Sequence, residues 1–84
     1  MKKIELDDVR SALIALDFLS REESDNLTDS KLKKQDFRED LALDSLDFIL
    51  LLERLEDTNR LSLIDLDIQE CRTVQDLLNF RVTK

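Results

Sequence analysis

From Ile4 onward, apolar residues recur at three- and four-residue steps: Ile4, Leu6, Val9, Leu13, Leu16 and Phe18, with Ala12 and Ile14 widening the stripe. A helix places residues so spaced on one face, so the pattern predicts a first helix over 4–19. Asp7 and Asp8 fall in its first turns, where acidic groups complement the positive end of the helix dipole. Between Ser20 and Glu39 the period dissolves into Ser, Asp, Asn and Thr, which predicts a long connection. Leu27, Leu32 and Phe37 are its apolar anchors to the core, and Lys31, Lys33 and Lys34 form a small basic cluster. The next periodic stretch opens at Asp44-Ser45. Asp44 suits an N-cap, and Asp47 three residues on makes an acidic version of a capping box. The helix that follows is predicted over 45–57.

This second helix is apolar on more than one face. Phe48, Leu51, Leu52 and Leu55 make one stripe; Leu46, Ile49 and Leu50 make another, extended by Glu53. One stripe is enough to seat a helix on its core, so the second is offered in part to a partner. Asn59 and Arg60 close the helix. Leu61, Leu63, Ile64, Leu66 and Ile68 then alternate with polar residues, a pattern shared by a strand and by an extended lead into a short helix. A lone strand would lack a pairing partner, so the reading is a loop and a short helix over 65–70. Thr73-Val74-Gln75-Asp76 resembles a further capping box and predicts a last helix over 73–82.

Composition narrows the picture. At 84 residues the chain fits one domain, 1–84, and offers little material for a deep catalytic pocket. It has no Gly and no Pro, which removes the usual hairpin turns and favours an all-α fold. A net charge of −7 repels phosphate backbones, so nucleic acid is not expected as a partner and basic protein surfaces are. There is no His, so imidazole catalysis and His-ligated metals are excluded. Acidic residues abound, yet no acid–base pair stands out, and no enzyme activity or metal site is expected. The one cysteine, Cys71, permits no internal disulfide and reads as a buried, inert thiol. No signal peptide or membrane-spanning run is found, which predicts a cytoplasmic protein.

The run Asp40-Leu41-Ala42-Leu43-Asp44-Ser45-Leu46-Asp47 resembles the prosthetic-group site of the acyl carrier protein family, in which Asp-Ser-Leu opens the second helix. Phe37, Asp40 and Leu41 precede it at the family's spacing, and Thr73-Val74-Gln75 falls where the family begins its last helix. The resemblance covers residues 37–82 well and the first helix only by pattern. It implies a small four-helix bundle, with a long loop between helices 1 and 2 and a short third helix. It implies that a phosphopantetheinyl transferase attaches 4′-phosphopantetheine to Ser45, with Asp44 orienting the serine and assisting the transferase's magnesium. A hydroxyl at a helix start fits that role, because unpaired N–H groups and the helix dipole favour a phosphate there. The implied work is carriage: acyl groups are held as thioesters and delivered to acyl-transferring and chain-elongating enzymes with basic docking surfaces. Leu51, Leu55, Leu63, Cys71 and Leu78 are candidates to line a space for the acyl chain.

Docking is expected to centre on the second helix, with Leu46, Ile49 and Leu50 as apolar contacts. Asp44, Asp47, Glu53, Glu56 and Asp57 would meet partner cations, and Leu63 and Ile64 would add contacts beyond the helix. The chain departs from the family at Ala42, where a Gly is usual, and at Leu50, Arg54 and Asn59 on the recognition helix. A specialised pathway therefore fits at least as well as fatty-acid synthesis. A monomer is expected. The competing readings are a peptidyl or aminoacyl carrier, which shares the fold and the modified serine, and an unmodified helical adaptor, which needs no hydroxyl at position 45.

Overall fold

Five helices and one small strand pair follow one another in a computed structural model that describes residues 2–82. They are β1 (Lys2–Lys3), α1 (Leu6–Ala15), α2 (Arg21–Asn26), α3 (Asp29–Lys33), α4 (Ser45–Asn59), α5 (Val74–Asn79) and β2 (Arg81–Val82). The fold is all-α in character. Its strands are two residues each and pair antiparallel, Lys2 opposite Val82 and Lys3 opposite Arg81.

The first helix is shorter than its apolar pattern. Asp17 takes a left-handed φ of 62°. Asp17 N–H then donates to the Ile14 carbonyl, and Phe18 N–H reaches back to the Leu13 carbonyl. This pair of bonds closes the helix as a Schellman motif, with Asp where Gly is usual. Val9, Ala12 and Leu13 carry the buried face of α1 and pack against Phe48, Leu51, Leu52 and Leu55 of α4 in one core.

The expected loop over 20–39 contains two short helices. Ser20 accepts from Glu23 N–H and the Glu23 carboxylate accepts from Ser20 N–H, a capping box that starts α2. Thr28 Oγ1 accepts from Lys31 N–H and starts α3. Helices of six and five residues are too short to display an apolar period, so the pattern read as a loop. Arg10 of α1 holds them in place. Its guanidinium donates to the Ser24 carbonyl (2.6 Å), Ser24 Oγ (2.9 Å), the Leu27 carbonyl (3.0 Å) and Asp29 Oδ1 (3.1 Å). The Ser24 carbonyl thus gains a second donor beside the Leu27 N–H, and the Leu27 carbonyl gains one from outside the helix. Leu32 and Phe37 are buried as expected, and Leu27 packs against the core.

Two further boundaries differ from the sequence reading. The segment 65–70 forms turns, closed by Leu66 N–H to the Leu63 carbonyl and by Glu70 and Cys71 N–H to the Asp67 carbonyl. These local bonds satisfy the backbone without a helix. The last helix stops at Asn79 because Phe80 is extended and the next two residues pair with β1. The long α4 runs two residues past expectation, to Asn59, and ends at Arg60 in the left-handed conformation (φ 54°).

Candidate functional site

The N-terminus of α4 is placed by the segment before it. Phe37 N–H donates to the Arg72 carbonyl (2.8 Å) and Val74 N–H to the Gln35 carbonyl (3.0 Å), so the chain at 35–37 is stitched to the start of α5. Asp36 then folds the turn. Its Oδ1 accepts from Arg38 N–H (2.8 Å) and Glu39 N–H (2.9 Å), and its own N–H donates to Asp40 Oδ2 (2.7 Å). The N–H groups of Glu39 and Arg38, with the Arg72 guanidinium 3.6 Å away, hold the Asp36 carboxyl below its ordinary range. Leu43 N–H returns to the Phe37 carbonyl (2.8 Å). Between these anchors Ala42 adopts a φ of 57°, the region where Gly is at ease and a Cβ is crowded. The turn is left-handed here with Ala at the position.

Asp44 is the N-cap of α4, as expected. Its Oδ1 accepts from Asp47 N–H (2.8 Å), and Asp47 Oδ2 faces the Asp44 N–H at 3.4 Å. Phe48 N–H donates to the Asp44 carbonyl. Of the first N–H groups of the helix, those of Ser45 and Leu46 thus have no acceptor within it. Ser45 is the first helical residue and is exposed to solvent. A hydroxyl so placed is reachable by a modifying enzyme, and a phosphate on it would meet the open N–H groups and the positive end of a 15-residue helix. The site therefore fits a phosphodiester-linked group.

The second apolar stripe of α4 is open to solvent. Leu46 is 66% exposed, Ile49 41% and Leu50 42%, with Ile64 at 85% across the following turn. Glu53 and Asp57 are exposed on the same helix. Three residues expected in the docking set are tied into the fold. Leu63 is only 4% exposed and belongs to the core, so it cannot offer a contact to a partner. Glu56 is half-buried, and its carboxylate accepts from Leu63 N–H (2.6 Å), which ties the post-helix loop to α4. Asp47 is likewise half-buried and engaged in the cap.

Leu51, Leu55, Leu63 and Cys71 are closed into the core, and Leu78 packs against it. Cys71 also borders an open hollow of about 380 Å³ beside Leu66 and Phe80, while Leu78 borders another of about 190 Å³ near Leu6. None of the hollows among the described residues is lined by all five. Burial, and then the Asp76 charge, push the Cys71 thiol up to about 12, so it stays protonated and unreactive. Sequence reasoning missed Arg10 and Asp36. Asp36 had a local signal, because an Asp two residues before an open N–H is a common turn former. Arg10 had none, since its partners lie 14 to 19 residues away.

A helix opened by an exposed serine, capped by aspartate and flanked by exposed Leu and Ile can carry a tethered group. A family model described as "Phosphopantetheine attachment site" matches residues 17–80, and the chain belongs to that family. The resemblance to acyl carrier proteins is thereby shown, and the family's group is a covalently bound 4′-phosphopantetheine. Among similar proteins are the acyl carrier proteins of onion yellows phytoplasma (strain OY-M) and aster yellows witches'-broom phytoplasma (strain AYWB). Each is 44% identical over 48 residues, which covers 57% of this chain and 62% of the relative. The match thus spans about three fifths of those relatives. No solved structure matches the chain.

Proposed function

We propose that the chain is an acyl carrier whose Ser45 holds the phosphopantetheine arm, and that it delivers acyl intermediates to enzymes of fatty-acid, polyketide or a related specialised pathway. The observation that carries this reading is the exposed Ser45 hydroxyl at the capped start of α4. When attached, the arm supplies a terminal thiol that holds acyl groups as thioesters. The protein's own residues do the rest. Asp44 and Asp47 cap each other's N–H groups and keep Ser45 at the end of the helix. The Asp36 turn and the Phe37 anchor keep that end in place.

Leu46, Ile49, Leu50 and Ile64 present apolar contact beside the attachment point, and Glu53 and Asp57 attract partner cations. The first partner is a phosphopantetheinyl transferase; later partners are acyl-transferring and chain-elongating enzymes with basic docking surfaces. The chain itself acts as a monomeric carrier and not as a catalyst, in the cytoplasm. No helix among the described residues is long and apolar enough to cross a membrane.

The test is intact mass after incubation with coenzyme A and a broad-specificity transferase. A gain of about 340 Da, abolished by Ser45→Ala, is expected from covalent attachment of the arm. An unchanged mass would instead favour an unmodified adaptor that works through α4.

A further inference from the structure

A hollow of about 480 Å³ lies between α2 and the turn that leads to Ser45. Phe18, Leu27 and Leu41 form its apolar wall, each only partly buried. Asn26 and Gln35 stand among them. Their side-chain carboxamides make no hydrogen bond among the described residues. The α2 wall exists because the connection between α1 and α4 is long enough to fold into two helices. Ala42 lies on the rim, three residues before Ser45. At most about 11 Å of extended chain can separate their Cα atoms.

The chemistry of the lining selects an occupant. Glu23 and Asp40 place negative charge at the rim, which disfavours an anionic ligand. Apolar surface interrupted by unpaired carboxamides suits a neutral chain in which amides alternate with short alkyl stretches. The part of a phosphopantetheine arm beyond its phosphate is such a chain, and its main chain counts more bonds than three residues do.

We infer that this hollow is the resting site of the neutral, amide-bearing part of the arm, an inference that rests on Ser45 as the attachment point. Asn26 and Gln35 hydrogen-bond the arm's amides, and Phe18, Leu27 and Leu41 cover its alkyl carbons. Weak intrinsic affinity suffices, because a tether this short raises the local concentration to about the millimolar range. The hollow shares no lining residue with the Leu63, Cys71 and Leu78 set. Leu46 and Ile49, the apolar docking residues, do not line the hollow.

The experiment compares 15N-labelled full chain before and after loading from coenzyme A, with loading verified by mass. The backbone amides of Asn26, Leu27, Gln35 and Leu41 and the side-chain carboxamides of Asn26 and Gln35 are expected to shift. Nuclear Overhauser contacts should join the arm's methyl groups to Phe18 or Leu27. The Asn26→Ala, Gln35→Ala double variant should still gain the full mass and lose the backbone shifts at Leu27 and Leu41. Changes confined to residues 44–47, or centred on Leu63, Cys71 and Leu78, would overturn the inference. A full mass gain with an undisturbed hollow sinks this inference alone, whereas no mass gain sinks the attachment site and the inference together.

Discussion

The ring of Phe37 lies 4.8 Å from that of Phe48, centroid to centroid, with the planes tilted by 48°. The two residues are both buried, one within the turn that Asp36 opens and the other in the first turns of α4. Their contact joins the Asp36 turn to the helix that opens at Ser45, in a geometry favoured by the ring quadrupoles. The position of the serine is therefore a packing matter before it is a chemical one. Phe37→Ala is expected to cost about 3–5 kcal/mol, a core-aromatic loss. Urea unfolding measures it. Phe37→Leu should restore most of the stability, and an alanine variant as stable as the parent would show that the turn is held by its hydrogen bonds alone.

Ala42 carries a strain that a glycine would relieve. Its φ of 57° crowds the Cβ, at about 1–2 kcal/mol for an L-residue. The extra flexibility that Gly gives the unfolded chain offsets part of that gain, at about 0.5–1 kcal/mol. Ala42→Gly is thus expected to stabilise by roughly 0.5–1 kcal/mol, and Ala42→Val to destabilise. Thermal melts of the two variants test this. A glycine variant that melts lower would mean that the turn changes shape when freed.

Arg10 bonds to three groups of α2 and its end, and its ion pair with Asp29 faces solvent. The inner bonds satisfy the half-buried carbonyls and the buried Ser24 hydroxyl. Arg10→Met is therefore expected to cost about 1.5–3 kcal/mol, the range for hydrogen bonds to a charged group. Asp29→Asn should cost under about 1 kcal/mol, as an exposed pair does. Hydrogen exchange should show the loss in Arg10→Met as faster opening of α2 and α3 with α4 unchanged.

Asp36, Asp76 and Glu23 all have carboxyl groups held below their ordinary range by backbone N–H groups, those of Glu39 and Arg38, of Thr73, and of Ser20 respectively. A carboxyl lowered on folding contributes stability that is complete above its unfolded value, about 3.9–4.3, and is lost as pH falls through the lower folded value. The contribution of these three carboxylates to stability should be constant from pH 7 to about 5 and decline below about 4. The gap in urea midpoint between the parent and Asp36→Asn should close over that acid window, since a protonated Asp bonds like an Asn. A gap that persists unchanged to pH 3 would remove Asp36 from the acid transition.

Much of the site was legible in the chain. Asp44 and Asp47 stand three apart and do cap α4, because a short carboxylate and an open N–H three residues on find each other without help from the rest of the fold. The buried stripe of Phe48, Leu51, Leu52 and Leu55 was equally legible, since a period of 3.6 needs no long-range information. Leu63 was not. Its alternation with Ile64 marks two opposite faces, and packing against the distant core turns Leu63 inward and leaves Ile64 exposed.

By itself, the order of residues determined the capped helix, its first serine and the two apolar faces, all products of contacts within a few positions. The tertiary structure decided what pins the 20–39 segment, where α5 stops, and what anchors the turn before Ser45. Those outcomes depend on Arg10 meeting Ser24, Phe37 meeting Arg72 and Lys3 meeting Arg81. Such bonds form only after distant stretches are brought together, and the loop entropy of doing so is offset by burial of the whole core, which no local pattern records.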